Sequence, residues 1–162
     1  MHDLQPLNAV TVKDTATLPY IEHFAEQSAT WSIYTMMDLF VGYDHCSCDL
    51  TTFQTPLGTF CLTVLPRGWT DSPTVFQNNV ALVLQCKIDI SSNFQDDINV
   101  LGPCTRCELP DGTYETISVN SGIHRFVWEH CNDVNCILHH LGHAGATVLA
   151  KKLFELFRGH CC

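Results

Sequence analysis

The stretch FQDDINV, residues 94–100, places two adjacent carboxylates, Asp96 and Asp97, between apolar residues on both sides. Short β-prone segments around a polar tip predict a β-hairpin. The two like charges repel each other, and a bare fold gains nothing from that repulsion. A divalent cation relieves it, because Mg²⁺ takes oxygen ligands. The stretch therefore predicts a hairpin that carries a candidate cation site, although an Asp-Asp pair taken alone is also typical of a solvated turn.

A third carboxylate stands upstream, at the end of a segment rich in β-formers. The run WSIYTMM, residues 31–37, leads directly into Asp38 and predicts a strand that ends there. A two-metal site needs carboxylates from separate strands. We therefore expect Asp38 to lie beside the hairpin that carries Asp96 and Asp97.

The remaining periodicity and turn signals predict one α+β domain, residues 1–162, with an antiparallel sheet packed on helices. The predicted elements are a helix over 18–28, two short strands between 49 and 65 around a turn at 56–58, a helix from Ser72, a turn at 109–113, a helix over 121–142, and one or two closing strands over 148–157.

Composition and charge exclude several classes of protein. Hydrophobic residues make up 46% of the 162, which is too many for a disordered chain. Acidic residues outnumber Lys and Arg by 17 to 8, so nucleic acid repels the chain unless metal ions or a local basic patch offset the charge. The longest apolar run, residues 80–84, is too short to span a bilayer, and no signal peptide is visible. We expect an intracellular protein without a membrane partner.

The ten cysteines leave a zinc site open as an alternative. Cys104 and Cys107 have the spacing of half a zinc knuckle, and Cys131 with Cys136 could supply the other half. The second pair has four intervening residues rather than two, and 23 residues separate the halves. We prefer free thiols, which the reducing cytosol maintains.

Several stretches, in one order along nearly the whole chain, resemble the reverse transcriptases of gypsy-type LTR retrotransposons. FQDD, residues 94–97, resembles their Y-x-D-D box with Phe in place of Tyr. Six further stretches resemble other conserved blocks of these enzymes: DLQPLNAVT (3–11), WSIYTMMDLFVGY (31–43), LPRGWTDSPTVFQ (65–77), HLGHAG (140–145), AKKLF (150–154) and FRGH (157–160). Any single block is weak, but the ordered set is specific.

The resemblance implies an RNA-directed DNA polymerase with partial fingers over 1–30 and mainly palm over 31–162. It implies that Asp38, Asp96 and Asp97 are catalytic and hold two Mg²⁺ or Mn²⁺ ions. Tyr43 falls on the family's aromatic gate against a ribose 2′-hydroxyl. Gly68 and Trp69 fall where the family's backbone lies close to the template and the incoming nucleotide. The implied partners are an RNA or DNA template-primer, deoxynucleoside triphosphates and the rest of a retrotransposon polyprotein.

The sequence also departs from the family. Arg67 replaces the expected Phe or Gln, the segment 44–50 is shorter, and the chain begins after most of the fingers and stops before the thumb. With a net charge of −9, these departures predict weak or no synthesis by the isolated chain. The alternative function is a catalytically silent retroelement remnant that acts as an interaction module.

Overall fold

The computed structural model describes residues 3–14, 19–29, 31–40, 52–62, 65–66, 68–149 and 154–157, with backbone alone at 27–29, 40 and 154–157. Its helices are α1 (Gln5–Val10), α2 (Ile21–Ala29), α3 (Ser72–Leu84, followed by a 3₁₀ turn, Gln85–Lys87) and α4 (Arg125–His143). Its strands are β1 (Ile33–Phe40), β2 (Phe53–Thr55), β3 (Gly58–Phe60), β4 (Ser91–Phe94), β5 (Asp97–Leu101), β6 (Thr116–Ile117), β7 (Asn120–His124), β8 (Thr147–Val148) and β9 (Phe154–Phe157). The predicted α+β class is confirmed. Among these described helices, none is both long and apolar enough to cross a membrane.

β1 is the central strand of a five-stranded antiparallel sheet. The order is β4-β5-β1-β8, and β9 also pairs with β1. β8 extends the far end of β1 by pairing with Leu39 and Phe40. For this reason the strand does not end at Asp38, as the sequence predicted, but continues for two more residues.

One face of the sheet forms the hydrophobic core. Side chains alternate between the faces of a strand, so Met37 and Leu39 of β1 share a face with Ile98 and Val100 of β5. All four are at most 2% exposed. Residues of α3 and α4 complete this cluster, namely Phe76, Val80, Leu84, Ile137 and Leu141. Both helices therefore cover one face of the sheet.

The helix predicted from Ser72 is confirmed as α3. Pro73 lies in its first turn, where its missing N–H costs no intrahelical hydrogen bond. Phe76, Val80 and Leu84 recur at helical spacing and are buried. The helix thus begins immediately after the 65–71 segment and ends beside β4.

The helix predicted over 121–142 starts later, at Arg125. Residues 120–124 instead form β7, which pairs with β6, and the Arg125 N–H donates to the carbonyl of Glu115. Ser121 and Gly122 are poor helix formers, so hairpin pairing outweighs the apolar spacing that includes Ile123. On the packed side Phe126, Ile137 and Leu141 are buried. On the other side Asn132 is exposed, and Glu129, Asp133 and His140 are half-buried.

Other short elements also differ from the prediction at their ends. The helix predicted over 18–28 begins at Ile21, while 15–18 lie outside the described residues. The two strands around the turn at 56–58 are confirmed as β2 and β3. The closing strands are present as β8 and β9. The helix α1, six residues long, was not predicted.

A buried polar contact joins α4 to the sheet. His130 and Thr35 are both 0% exposed, and the His130 Nε2 lies 2.7 Å from the Thr35 Oγ1. Burial lowers the pKa of His130 below its ordinary value of 6.5, because the apolar surroundings disfavour the charged ring. Gly102 packs directly against this pair of elements, since a Cβ there would lie 2.6 Å from the Ile33 side chain.

Candidate active site

Asp38 and Asp97 are opposite each other on neighbouring antiparallel strands. The register of β1 and β5 pairs them directly. The Leu39 N–H donates to the Asp96 carbonyl at 2.8 Å, and since hydrogen-bonded and non-hydrogen-bonded pairs alternate, Asp38 and Asp97 form a non-hydrogen-bonded pair. In such pairs the Cα atoms are about 4.5 Å apart and the side chains approach most closely. The fold therefore brings together two carboxylates that are 59 positions apart in the sequence.

This pair lies on the face of the sheet opposite the core. Asp38 stands between Met37 and Leu39, and Asp97 precedes Ile98, all three of which are buried in the core cluster. Alternation along each strand directs both carboxylates away from the helices. Both residues are half-buried. Like charges directly opposite each other destabilise a strand pair, which a bound cation would offset.

Asp96 belongs to the same hairpin but faces a different space. β4 and β5 pair from Phe94 and Asp97 onward, so Gln95 and Asp96 form a two-residue turn, and the predicted hairpin is confirmed. Asp96 lines a cavity of about 370 Å³ together with Gln95 at the turn and Phe76 of α3. The hairpin thus presents Asp97 on the sheet and Asp96 to the neighbouring cavity.

The two predicted nucleotide-binding residues of the 65–71 segment line the same cavity. Gly68 and Trp69 line this cavity together with Asp96. Gly68 has φ +95°, a conformation that favours glycine. A Cβ at this position would meet only the Leu4 side chain, at 3.9 Å, so the backbone here is open to close approach by a ligand. The structure therefore brings Gly68 and Trp69 next to one of the three predicted catalytic carboxylates.

The N-terminal segment holds the Gly68–Trp69 backbone in place. The Asn8 side chain donates to the Gly68 carbonyl at 2.9 Å and accepts from the Thr70 N–H at 3.0 Å. The Trp69 indole N–H donates to the Thr11 Oγ1 at 3.1 Å. The Asn8 side chain therefore hydrogen-bonds to the residues on both sides of Trp69, and Thr11 hydrogen-bonds to the Trp69 ring.

Sequence reasoning did not assign a role to Asn8, Thr11 or Gln77. Asn8 and Thr11 are polar positions of the DLQPLNAVT block, and their spacing of three places them on one side of a helical turn. Gln77 ends the LPRGWTDSPTVFQ block and directly follows the buried Phe76. A polar residue within an apolar helix face predicts a hydrogen-bonded partner in the core, which is the signal that could have identified it.

The donor chemistry of the site fits a hard cation. Asp38, Asp96 and Asp97 offer only carboxylate oxygens, the ligands that Mg²⁺ prefers. Across the parts of the chain that the structure describes, however, no group of three or more His, Cys, Asp or Glu side chains is arranged to hold a metal ion. The pair Asp38–Asp97 is in register, whereas Asp96 lines the neighbouring cavity.

The same result gives no support to the alternative zinc site within the described residues. Of its four cysteines, Cys104 and Cys131 are exposed, and Cys107 and Cys136 are half-buried. They are not gathered into a ligand group. The expected role of Tyr43 as an aromatic gate falls outside the described residues.

No protein-family model matches the chain. The structure is similar to the protease-reverse transcriptase of prototype foamy virus, with a TM-score of 0.65 and 21% identity over 93% of this chain and 18% of that one. The foamy viral dRH protein in complex with double-stranded DNA gives a TM-score of 0.70 and 22% identity over 96% of this chain and 24% of that one. The foamy viral protein in complex with an RNA/DNA hybrid gives a TM-score of 0.66 and 21% identity over 93% of this chain and 18% of that one.

The chain therefore spans about a quarter or less of the length of these three proteins. At this identity the likeness concerns the fold alone. The chain has a reverse-transcriptase-like α+β fold.

Proposed function

We propose that the chain is part of the RNA-directed DNA polymerase domain of a retrotransposon polyprotein, with residues 1–30 in the fingers and 31–162 mainly in the palm. In this proposal Asp38, Asp96 and Asp97 carry out two-metal nucleotidyl transfer. The observation that supports it best is the in-register pair Asp38–Asp97, beside a cavity lined by Asp96 and Trp69, in a chain with a reverse-transcriptase-like fold.

The three carboxylates have complementary tasks in this proposal. Two Mg²⁺ ions, when bound, supply activation of a primer 3′-hydroxyl and stabilisation of the departing pyrophosphate. Asp38 and Asp97 offer the paired oxygens that would hold them, and β1 and β5 fix the spacing of that pair. Asp96 would approach from the adjacent turn. Because phosphoryl transfer depends mainly on positioning and electrostatic stabilisation, the rigid sheet under the carboxylates is part of the catalytic apparatus.

The cavity beside Asp96 is the proposed contact region for the nucleotide and template. The open backbone at Gly68 allows close approach, and the Trp69 ring offers a flat apolar surface to a sugar or base. Tyr43 is proposed to exclude the ribose 2′-hydroxyl and so to favour deoxynucleotides. The hydrogen bonds from Asn8 and Thr11 would keep the Trp69 wall in place while substrates exchange.

The proposed nucleic-acid partner is a template-primer duplex. The foamy viral neighbours have been crystallised with double-stranded DNA and with an RNA/DNA hybrid. A net charge of −9 opposes the binding of a polyanion, and affinity for nucleic acid depends on the number of phosphates that are neutralised. We therefore propose that other parts of the polyprotein supply most of the contacts to nucleic acid, and that the isolated chain has weak or no polymerase activity.

Primer extension tests this function. The chain is incubated with an RNA template, an annealed DNA primer, deoxynucleotides and Mg²⁺ or Mn²⁺ at low ionic strength, beside the Asp96→Asn/Asp97→Asn double variant. We expect at most slow addition of a first nucleotide, lost in the variant, and no processive synthesis. Equal extension by both proteins would contradict the catalytic role of the carboxylates. A complete absence of Asp-dependent addition, together with no Asp-dependent metal binding, would favour the silent remnant.

A further inference from the structure

Gln77 connects α3 to the hairpin that carries the candidate catalytic residues. Its side chain is 7% exposed, so its amide needs partners within the protein. The Oε1 accepts a hydrogen bond from the Gln95 N–H at 2.6 Å, and the Nε2 donates to the Asn93 carbonyl at 3.2 Å. The Asn93 side-chain amide in turn approaches the Gln77 carbonyl at 3.5 Å. One helical residue thus contacts both β4 and the turn that follows it.

The turn contacted by Gln77 is strained. Gln95 is its first residue and has φ +54°, in the left-handed region that non-glycine residues rarely adopt. Two-residue hairpin turns with this conformation at the first position favour glycine there. Strained backbone at a functional site persists when surrounding contacts hold it. The 2.6 Å hydrogen bond to the Gln95 N–H is such a contact.

The opposite side of the turn is held by the central strand. The Leu39 N–H donates to the Asp96 carbonyl at 2.8 Å. The two-residue turn is therefore fixed between β1, which carries Asp38, and α3, which carries Gln77. Asp97 follows the turn directly, so the position of its carboxylate relative to Asp38 depends on both attachments.

We propose that Gln77 is a positioning residue that holds Asp97 in register with Asp38, and Asp96 in the adjacent turn, by fixing the backbone of Gln95. This inference rests on the proposed function. Gln77 acts through the backbone of the turn, by its hydrogen bonds to Asn93 and Gln95. Groups that orient metal ligands from behind change metal affinity by roughly 10- to 100-fold when they are removed. Loss of the Gln77 amide should therefore weaken cation binding at the Asp38–Asp97 pair.

The test compares Gln77→Met with a matched control in the full chain. Methionine has a similar size and length but cannot make the two amide hydrogen bonds. Gln77 also lines a cavity of about 500 Å³ beside α3, which leaves space for a Met side chain to settle. The control is Gln85→Met: Gln85 is exposed, follows the same helix and lines the same cavity. A second variant, Gln77→Glu, keeps the acceptor for the Gln95 N–H.

Two readouts are measured, neither of which requires polymerase activity. Hydrogen exchange of the Gln95 amide in the metal-free protein reports on the attachment itself. Mn²⁺ affinity, measured by electron paramagnetic resonance with Asp97→Asn as the reference, reports on the carboxylates. We expect the Gln95 amide to exchange faster in Gln77→Met and to remain protected in Gln77→Glu and Gln85→Met. We expect Asp97-dependent Mn²⁺ binding to weaken about 10-fold in Gln77→Met and to be unchanged in Gln85→Met.

The outcomes separate this inference from the function on which it rests. Wild-type affinity for Mn²⁺ in Gln77→Met, with binding that still depends on Asp97, would overturn the positioning role and leave the proposed function standing. Unchanged exchange of the Gln95 amide in Gln77→Met would overturn the positioning role in the same way. A wild-type chain without any Asp97-dependent Mn²⁺ binding would contradict the proposed function, and the positioning role with it.

Discussion

Asp38 and Asp97 face each other across the central strand pair β1–β5, in a non-hydrogen-bonded position and on the face of the sheet away from the core. A strand pair that serves only stability gains nothing from this arrangement, because like charges directly opposite each other are destabilising. Under the proposed function, the arrangement lowers stability modestly but places two carboxylates at a fixed spacing.

Removing one charge of this pair should stabilise the metal-free protein. We expect Asp97→Asn to raise the free energy of unfolding by about 0.5 kcal/mol at neutral pH, because the cross-strand repulsion disappears. Urea denaturation in the presence of a chelator measures this. Asp89→Asn, at an exposed aspartate, is the control and should change little. Adding Mg²⁺ should stabilise wild type more than Asp97→Asn, since only a ligand that binds the folded state stabilises it. Equal responses to Mg²⁺ would contradict the site.

The elements near the site could be predicted because their local signals agree with the fold. The hairpin of 91–101, the start of α3 at Ser72 and the strand leading to Asp38 each have clear apolar patterns or turn residues. That Asp38 is opposite Asp97, rather than Asp96, is set by the register of β1 and β5, which depends on how many residues the strands and turn contain. Sequence reasoning predicted the proximity but could not supply the register.

The attachment of the N-terminal segment to the cavity wall should be sensitive to Asn8. We expect Asn8→Ala to lower the free energy of unfolding by about 1–2 kcal/mol, because the Gly68 carbonyl and Thr70 N–H lose their partner. Hydrogen exchange at the Thr70 amide should accelerate. Gln5→Ala, at an exposed position of the same helix, serves as the control. A Thr70 amide that stays as protected as in wild type would show that Asn8 does not hold this segment.

Two glycines should respond to alanine in opposite directions. Gly102→Ala would place a Cβ 2.6 Å from the Ile33 Cγ2 and 2.7 Å from the Ile33 carbonyl oxygen, so backbone must shift. We expect a loss of roughly 3 kcal/mol or more. Gly142 lies in α4, and a Cβ there would meet nothing within 4 Å. Gly142→Ala should stabilise by about 0.5–1 kcal/mol through helix propensity. Thermal and urea unfolding of both variants check this, and a harmless Gly102→Ala would contradict the packing of Ile33.

The pH dependence of stability should carry a contribution from His130. Its pKa is lowered by burial, and within the described residues its Nδ1 atom has no hydrogen-bond partner that would favour a charged ring. A group whose pKa is depressed on folding prefers its neutral form in the folded state. Its contribution is therefore fully present above the unfolded value of about 6.5 and is lost as the pH falls from there through the lower folded pKa.

We therefore expect wild type to lose stability between pH 7.5 and pH 5, and His130→Leu to lose less over that range. His143→Gln, at an exposed position near the end of α4, is the matched control and should keep the wild-type slope. The comparison uses the slope of the free energy of unfolding against pH, because His130→Leu also removes the partner of Thr35 and lowers stability at every pH. Identical slopes of stability against pH in wild type and His130→Leu would show that folding does not lower the pKa of His130.

The parts of the fold that sequence reasoning missed are those decided by distant partners. Residues 120–124 have a helix-compatible apolar spacing, but pairing with β6 makes them a strand. In the sequence, Gln77 is only a polar position on an apolar helix. Its role becomes visible in the fold, where the hairpin turn at Gln95 lies against it. The role of Asn8 depends on a segment 60 residues away. Such contacts have no local pattern, since tertiary packing alone creates them.

The central claim is that Asp38, Asp96 and Asp97 form a divalent-cation site. The most direct measurement is paramagnetic line broadening by Mn²⁺ in the nuclear magnetic resonance spectrum of the isotopically labelled chain, which maps bound metal onto the backbone. We expect broadening centred on residues 37–39 and 95–98 that disappears in Asp97→Asn. Broadening centred instead on the histidines at the end of α4, or broadening near the hairpin that persists in Asp97→Asn, would contradict it.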